Sequence, residues 1–228
     1  MSAARFSVEA VLFDLDGTLL DTVADLCEAA NRMLADVSRP QRSLDEIRCF
    51  VGKGIPNLVR RCLTEGSQAS EAEIEEAIVL FRRHYADVNG SRSRVYPGVV
   101  DALDAMRGAG LRLACVTNKA EAFTLPLIEQ MGLAPYFSAV VSGDTLAVKK
   151  PDPAVVRHAC ELLGVEPGRA LMIGDSANDA LAARGAGMPV LLVTYGYSEG
   201  VAVDTIECDG LLSTALEAID HIVMRSGA

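Results

Sequence analysis

Apolar residues follow two rhythms along this chain. Ala10 to Phe13 is a short apolar run ending in a cluster of Asp and Gly, which predicts a buried strand feeding a loop. Leu111 to Val116, Ala139 to Val141, Ala170 to Ile173 and Val190 to Val193 repeat that pattern. Between them, helical spacing covers roughly Val99 to Arg107, Glu121 to Met131, Ala154 to Leu163 and Asn178 to Ala186. Strand alternating with helix implies right-handed crossovers, and so an α/β fold: a doubly wound parallel sheet with helices on both faces. Ligands bind such sheets beyond the carboxyl ends of the strands. That rule singles out Asp14, Thr117, Ser142 and Asp175.

The stretch from Thr22 to Arg94 breaks the alternation and offers no convincing strand. Its periodicity predicts helices near Thr22 to Asp36, Ser43 to Phe50, Ile55 to Leu63 and Glu71 to Asp87. Ser43 with Glu46, and Ser70 with Glu73, have the spacing of capping boxes that fix a helix start. A helical block between the first strand and the rest of the sheet reads as an inserted all-helical cap. The expected division is a core of 1–20 and 95–228 around a cap of 21–94. Its exit is polar, and Tyr96-Pro97-Gly98 restarts the sheet.

With 228 residues, half of them hydrophobic, the chain can bury a substantial core. A net charge of -10 argues against nucleic acid or an anionic membrane as partner. An acidic protein handling anionic substrates must concentrate its cations, and a bound metal ion would do so. The six cysteines show no CxxC pair and no zinc spacing, so free thiols are expected. Nothing in Met1 to Phe6 resembles a signal peptide, and no apolar run reaches the roughly 20 residues that span a bilayer. The expected location is cytoplasmic. His84, His158 and His221 share no spacing that suggests a ligand set.

Four segments carry candidate chemistry. Asp14-Leu15-Asp16-Gly17-Thr18 places two carboxylates, two residues apart, at a strand end. One can attack as a nucleophile while the other donates and later accepts a proton; the alternative is a plain Asp-Gly turn. Gly174-Asp175-Ser176-Ala177-Asn178-Asp179 adds two more carboxylates at the same edge, suited to Mg2+ or, more simply, to capping the next helix. Thr117 and Asn118 offer donors for phosphate oxygens. In Lys149-Lys150-Pro151 the proline keeps Lys150 extended, so its ammonium can reach inward. Like charges gathered at adjacent strand ends would repel unless a cation lay between them.

In order and position, DxDGT, Thr-Asn, Lys-Pro and GDSxND resemble the motifs of haloacid dehalogenase-like phosphohydrolases with a helical cap after the first strand. The resemblance runs from Val11 to at least Tyr197. It implies Asp14 as the nucleophile forming an aspartyl-phosphate, and Asp16 as the general acid and then base. It implies Thr117 and Asn118 on the phosphoryl oxygens, with Lys150 neutralising charge and Lys149 its competitor. Mg2+ would be held by Asp14, the backbone carbonyl of Asp16 and Asp175, with Asp179 reaching it directly or through water. Asp16 departs from the dehalogenase and phosphonate-cleaving branches, which keep no acid there.

Asp16 to Thr22, Val51 to Gly54, Val95 to Val99 and Thr194 to Tyr197 resemble the bacterial phosphoglycolate phosphatases within that family. The expected reaction is hydrolysis of a small phosphorylated metabolite, with 2-phosphoglycolate favoured. A sugar phosphomutase, or a phosphatase for a nucleotide or pyrophosphate, is the alternative. By the same resemblance the Gly52-Lys53-Gly54 loop of the cap touches the leaving group, with Lys53 facing a substrate carboxylate. Arg60 and Arg61 are weaker candidates. Asp21 is expected to cap the first cap helix, Tyr195 to Tyr197 have no assigned role, and either a monomer or a homodimer fits.

Overall fold

The computed structural model describes residues 5–64, 66 and 68–223. The chain starts with β1 (Ala10–Phe13) and β2 (Leu20–Asp21). Four helices follow: α1 (Val23–Asp36), α2 (Leu44–Phe50), α3 (Ile55–Thr64) and α4 (Glu71–Val88). Then come β3 (Arg94–Val95), α5 (Val99–Gly108), β4 (Arg112–Val116), α6 (Glu121–Gln130) and β5 (Ala139–Val141). The remainder is α7 (Ala154–Leu163), β6 (Ala170–Gly174), α8 (Ala177–Ala186), β7 (Val190–Val193) and β8 (Gly210–Leu212).

Six strands form one sheet in the order β5-β4-β1-β6-β7-β8, with every pairing parallel. This is the doubly wound sheet that the alternation predicts. Successive strand residues point to opposite faces. Val11, Phe13, Cys115 and Ile173 pack with α5 and α6 on one side. Ala10, Leu12, Val116 and Met172 pack with α7 and α8 on the other. Because both faces are covered, the strands read as continuous apolar runs rather than alternating ones. Each large aliphatic side chain buried this way contributes about 1.5–3 kcal/mol.

Helices α1 to α4 bury a core of their own, including Leu26, Met33, Phe50, Leu58, Phe81 and Tyr85. Both expected capping boxes form, at Ser43 with Glu46 and at Ser70 with Glu73. The two connections to this block lie side by side, because β2 and β3 pair antiparallel, Leu20 with Val95 and Asp21 with Arg94. Buried Asp25 on α1 locks them: its carboxylate accepts the N–H of Gly90, Arg92 and Ser93 and the Ser93 hydroxyl, at 2.6 to 3.0 Å. Neither the β2–β3 pair nor β8 is expected from the sequence. Strands of two and three residues are too short to show a period.

The chain runs from β1 outward through β4 to β5, then crosses back to β6 on the other side of β1. That reversal opens a crevice beyond the carboxyl ends of β1 and β6. Asp14 and Asp175 follow those two strand ends.

Candidate active site

The ladder between β1 and β6 ends with the Asp14 N–H donating to the Ile173 carbonyl at 3.0 Å. Beyond it the backbone turns at Gly17, whose φ of 93° suits glycine. A Cβ there would also overlap the Asp175 carboxylate. Thr18 donates its hydroxyl to Asp175 Oδ1 at 3.1 Å. The tight turn thus brings the first motif against the second.

After β6 the Asp179 side chain folds back under Gly174, leaving no room for a Cβ on that residue. Asp179 Oδ2 accepts the N–H of Asp175 at 3.2 Å and the N–H and hydroxyl of Ser176 at 3.1 and 2.8 Å. Its Oδ1 accepts the Lys150 ammonium at 2.7 Å. Asp179 therefore caps the start of α8 and anchors a cation at once.

Lys150 Nζ lies 2.8 Å from Asp14 Oδ1 and 2.6 Å from the Val116 carbonyl. Lys149 is exposed and stays outside this cluster. Asp14, Asp175 and Asp179 are buried and offer oxygens within 4.8 Å of one another, as metal ligands do. Burial pushes the Asp14 carboxyl up to about 7; the Lys150 ammonium opposes this and the Asp179 charge adds to it. Burial, then Asp14 and Asp179, push Asp175 well above the usual carboxylate range. For Lys150 the cost of burial is outweighed by Asp14 and Asp179, so it stays charged. One ammonium does not balance three buried carboxylates, and an oxygen-only donor set of this kind fits a hard divalent cation.

Thr117 follows β4 and is buried, with its Oγ1 accepting the Lys119 N–H at 3.2 Å. Asn118 lies beside it and lines the same cavity. Its side-chain amide donates to the carbonyls of Gly52 and Lys150 at 2.8 and 2.9 Å, and its Oδ1 accepts the Lys150 N–H at 3.0 Å. With those bonds made, the side chain braces the Lys150 loop against the cap at the edge of the cavity that Asn118 lines.

Asp16 lies on the cap side of Asp14. Its Oδ1 accepts the Thr22 hydroxyl at 2.6 Å and the Lys119 ammonium at 3.0 Å. Lys119 is buried and also bonds the Tyr85 hydroxyl from α4. Burial pushes the pKa of this lysine down, but Asp16 and Tyr85 together outweigh it and hold the ammonium charged. Sequence reasoning gave Lys119 and Tyr85 no role. A cavity of about 40 Å³ lies between core and cap, with Asp14, Asp16, Thr117 and Lys119 below. Leu26, Val51, Ile55, Leu58 and Tyr85 close it from the cap side.

Gly52 and Gly54 line this cavity, but Lys53 does not. Its half-exposed ammonium pairs with Glu199 of the core at 2.7 Å. Arg60 pairs with Glu71, while Arg61 donates to the Cys49 carbonyl and stacks 4.2 Å from the Phe50 ring centroid. Thr22 holds the cap position of α1 without a side-chain bond of its own, while Asp21 Oδ1 accepts the Val23 N–H at 3.4 Å. The same oxygen accepts the Tyr197 hydroxyl at 2.8 Å. The Tyr195 hydroxyl donates to the Thr18 carbonyl at 2.8 Å, so both tyrosines brace the first motif loop.

Residues 8–187 match the family model of haloacid dehalogenase-like hydrolases. The chain belongs to that family. It is 46% identical over 223 residues to the plasmid phosphoglycolate phosphatase of Cupriavidus necator, covering 98% of this chain and 96% of that protein. It is 48% identical over 222 residues to the phosphoglycolate phosphatase of Nitrosospira multiformis, covering 96% of this chain and 97% of that protein. Among solved structures it resembles a predicted phosphoglycolate phosphatase from Haemophilus somnus 129pt, with a TM-score of 0.88 and 31% identity. That match covers 93% of this chain and 96% of the other. The chain is a phosphatase acting on a small phosphorylated metabolite. Among the described residues, no helix is long and apolar enough to cross a membrane.

Proposed function

We propose that this phosphatase hydrolyses 2-phosphoglycolate with Mg2+ as cofactor, in the cytoplasm, as a monomer or homodimer. The observation that carries the reading is the Lys150 ammonium held between Asp14 and Asp179, beside Asp175, beneath a small cavity that also contains Asp16.

Asp14 attacks phosphorus to give an aspartyl-phosphate as the bond to the leaving oxygen breaks. Asp16 protonates that oxygen, then accepts a proton from the water that releases inorganic phosphate and restores Asp14. Lys150 and the Thr117 hydroxyl face the phosphoryl oxygens and stabilise their charge. Mg2+, when bound by Asp14, Asp175 and the Asp16 carbonyl, supplies the remaining positive charge. Asp179, its oxygens already taken by Ser176, Asp175 and Lys150, serves best by fixing those groups or by reaching the ion through water.

The mostly apolar cap wall disfavours the phosphomutase reading, because the several hydroxyls of a sugar would lose water there and find few side-chain partners. The test is phosphate release across phosphorylated metabolites with Mg2+, ranked by kcat/KM, with a chelator control. The substrate assignment expects 2-phosphoglycolate to lead. It fails should another ester exceed it tenfold, and the metal assignment fails should chelation leave turnover intact.

A further inference from the structure

We infer that Lys119 is the specificity-determining cation of this site, taking an anionic group on the leaving half of the substrate while Tyr85 holds it from the cap. The inference rests on the phosphatase reading of Asp14 and Asp16, and it names the chemical class of ester preferred: one whose leaving group carries a carboxylate close to the ester oxygen.

The site has two buried ammonium groups with separate tasks. Lys150 stands with Asp14 and Asp179, at the phosphoryl end. Lys119 stands 3.0 Å from Asp16 and is the one cation lining the cavity among the described residues. The leaving oxygen must come to Asp16 for its proton, so Lys119 lies over the atoms attached to that oxygen. In a phosphorylated α-hydroxy acid the carboxylate carbon is two covalent bonds, of about 1.5 Å each, from the ester oxygen. An oxygen at Asp16 and a carboxylate on Lys119 fit that short span.

The surroundings sharpen the choice. On the cap side Leu26, Val51, Ile55 and Leu58 present no charged side chain, so Lys119 is the one opposite charge that an anion meets among the residues lining the cavity. Without Lys119, an incoming carboxylate would face Asp16 in a desolvated space and be repelled. Tyr85 fixes the ammonium from α4, with its hydroxyl on Nζ and its ring centroid 4.7 Å away. The recognising group therefore takes its full set of contacts from cap and core together. Lys53, which the sequence offered for this task, is occupied by Glu199 outside the cavity.

A purely structural role, in which Lys119 only neutralises Asp16, predicts something different: equal losses for every ester. The experiment compares kcat/KM for 2-phosphoglycolate, 2-phospholactate and ethyl phosphate, whose leaving group is similar in size but uncharged. Lys119→Met is expected to lower the ratio of carboxylated to neutral ester by about 30- to 100-fold. Lys119→Arg should restore part of that ratio, and Tyr85→Phe, which keeps every charge, should lower it threefold or more. Circular dichroism on each variant confirms folding. Equal losses on all three esters overturn the inference and leave the phosphatase reading standing. Should 2-phospholactate prove the better wild-type substrate while Lys119→Met still erases the preference, the substrate assignment falls and the role of Lys119 holds. A readout independent of any variant is product inhibition of the wild type. Glycolate should inhibit at a concentration at least tenfold below ethylene glycol, and equal inhibition by the two overturns the inference.

Discussion

Tyr197 donates its backbone N–H to Asp175 Oδ2 across 2.6 Å. Its hydroxyl, at the far end of the same side chain, accepts the N–H of Thr22 at 2.7 Å and of Val23 at 3.0 Å. One residue thus joins a carboxylate of the candidate metal cluster to the first turn of the cap. Helix starts carry N–H groups with no partner inside the helix. On α1 a phenol from the core satisfies two of them in place of a side chain on Thr22.

Tyr197→Phe removes that hydroxyl and spares the bond to Asp175. The expected cost is about 1–2 kcal/mol, from the orphaned Thr22 N–H, a Val23 N–H left with only its 3.4 Å bond to Asp21, and the lost bond between the phenol and Asp21. That corresponds to a fall of roughly 3–6 °C in Tm for a chain of this size. Mg2+ dependence should stay close to wild type. Thermal melts beside a Mg2+ titration of phosphate release check both halves.

Gly196→Ala should do the reverse. A Cβ on Gly196 would overlap the Asp175 side chain, so the aspartate has to move. Displacing a ligand carboxylate or its support typically costs 10- to 100-fold in metal affinity. The Mg2+ concentration giving half-maximal turnover should rise by that factor, with little change in the unfolding temperature of the chelated protein. A wild-type Mg2+ curve would show that the loop relaxes without moving Asp175.

These two residues mark where the sequence stopped being legible. Five of the six strands of the sheet could be read, because each is an apolar run of three to six residues between segments of helical period, whereas β8 was too short to show one. The motif loops could be read because the carboxyl ends of parallel strands converge, whatever the details of packing. Tyr197 could not, because its partners lie 22 and 175 positions away. The same holds for Asp25, an acid on the apolar face of α1 whose meaning depends on a backbone turn 65 residues later. Lys53 misled for a related reason. Two glycines announce a loop that can approach a ligand, but only the fold brings Glu199 to its ammonium.

That ion pair gives a prediction of small effect. Lys53 is half-exposed, and pairs of that kind contribute about 0.2–1 kcal/mol. Lys53→Met should change kcat/KM for the preferred substrate less than about fivefold, the cap remaining held by the Asn118 bond to the Gly52 carbonyl. A loss of 100-fold, concentrated in KM, would return Lys53 to the substrate site.

The thiols offer a test of the core. Burial pushes Cys62 up to about 12 and Cys160 up to about 11, and it raises Cys115 further. Unfolded thiols ionise near 8.5. As pH rises past that value the unfolded chain releases these protons first, so the contribution is complete below about 8.5 and is lost toward pH 11–12. At pH 8 a thiol reagent should label Cys27, Cys49 and Cys208 in the native protein. Cys62, Cys115 and Cys160 should react only in denaturant, with six thiols in total. Prompt labelling of Cys115 would contradict the packing of β4.

Asp14→Asn separates chemistry from folding at the centre of the site. The amide cannot attack phosphorus, so phosphate release should fall by about 10⁴-fold or more. Stability should move the other way in chelator. The wild type gathers Asp14, Asp175 and Asp179 around one ammonium, and the variant removes one of three facing charges while Lys150 keeps Asp179 at 2.7 Å. Its Tm in the metal-free state should equal or exceed wild type, and the rise in Tm on adding Mg2+ should shrink, because a ligand oxygen has lost its charge. Melting curves with chelator and with Mg2+, run beside the phosphate assay, measure all three. Near wild-type turnover would remove Asp14 as nucleophile. A large fall in metal-free Tm would mean instead that Asp14 is chiefly a structural partner of Lys150.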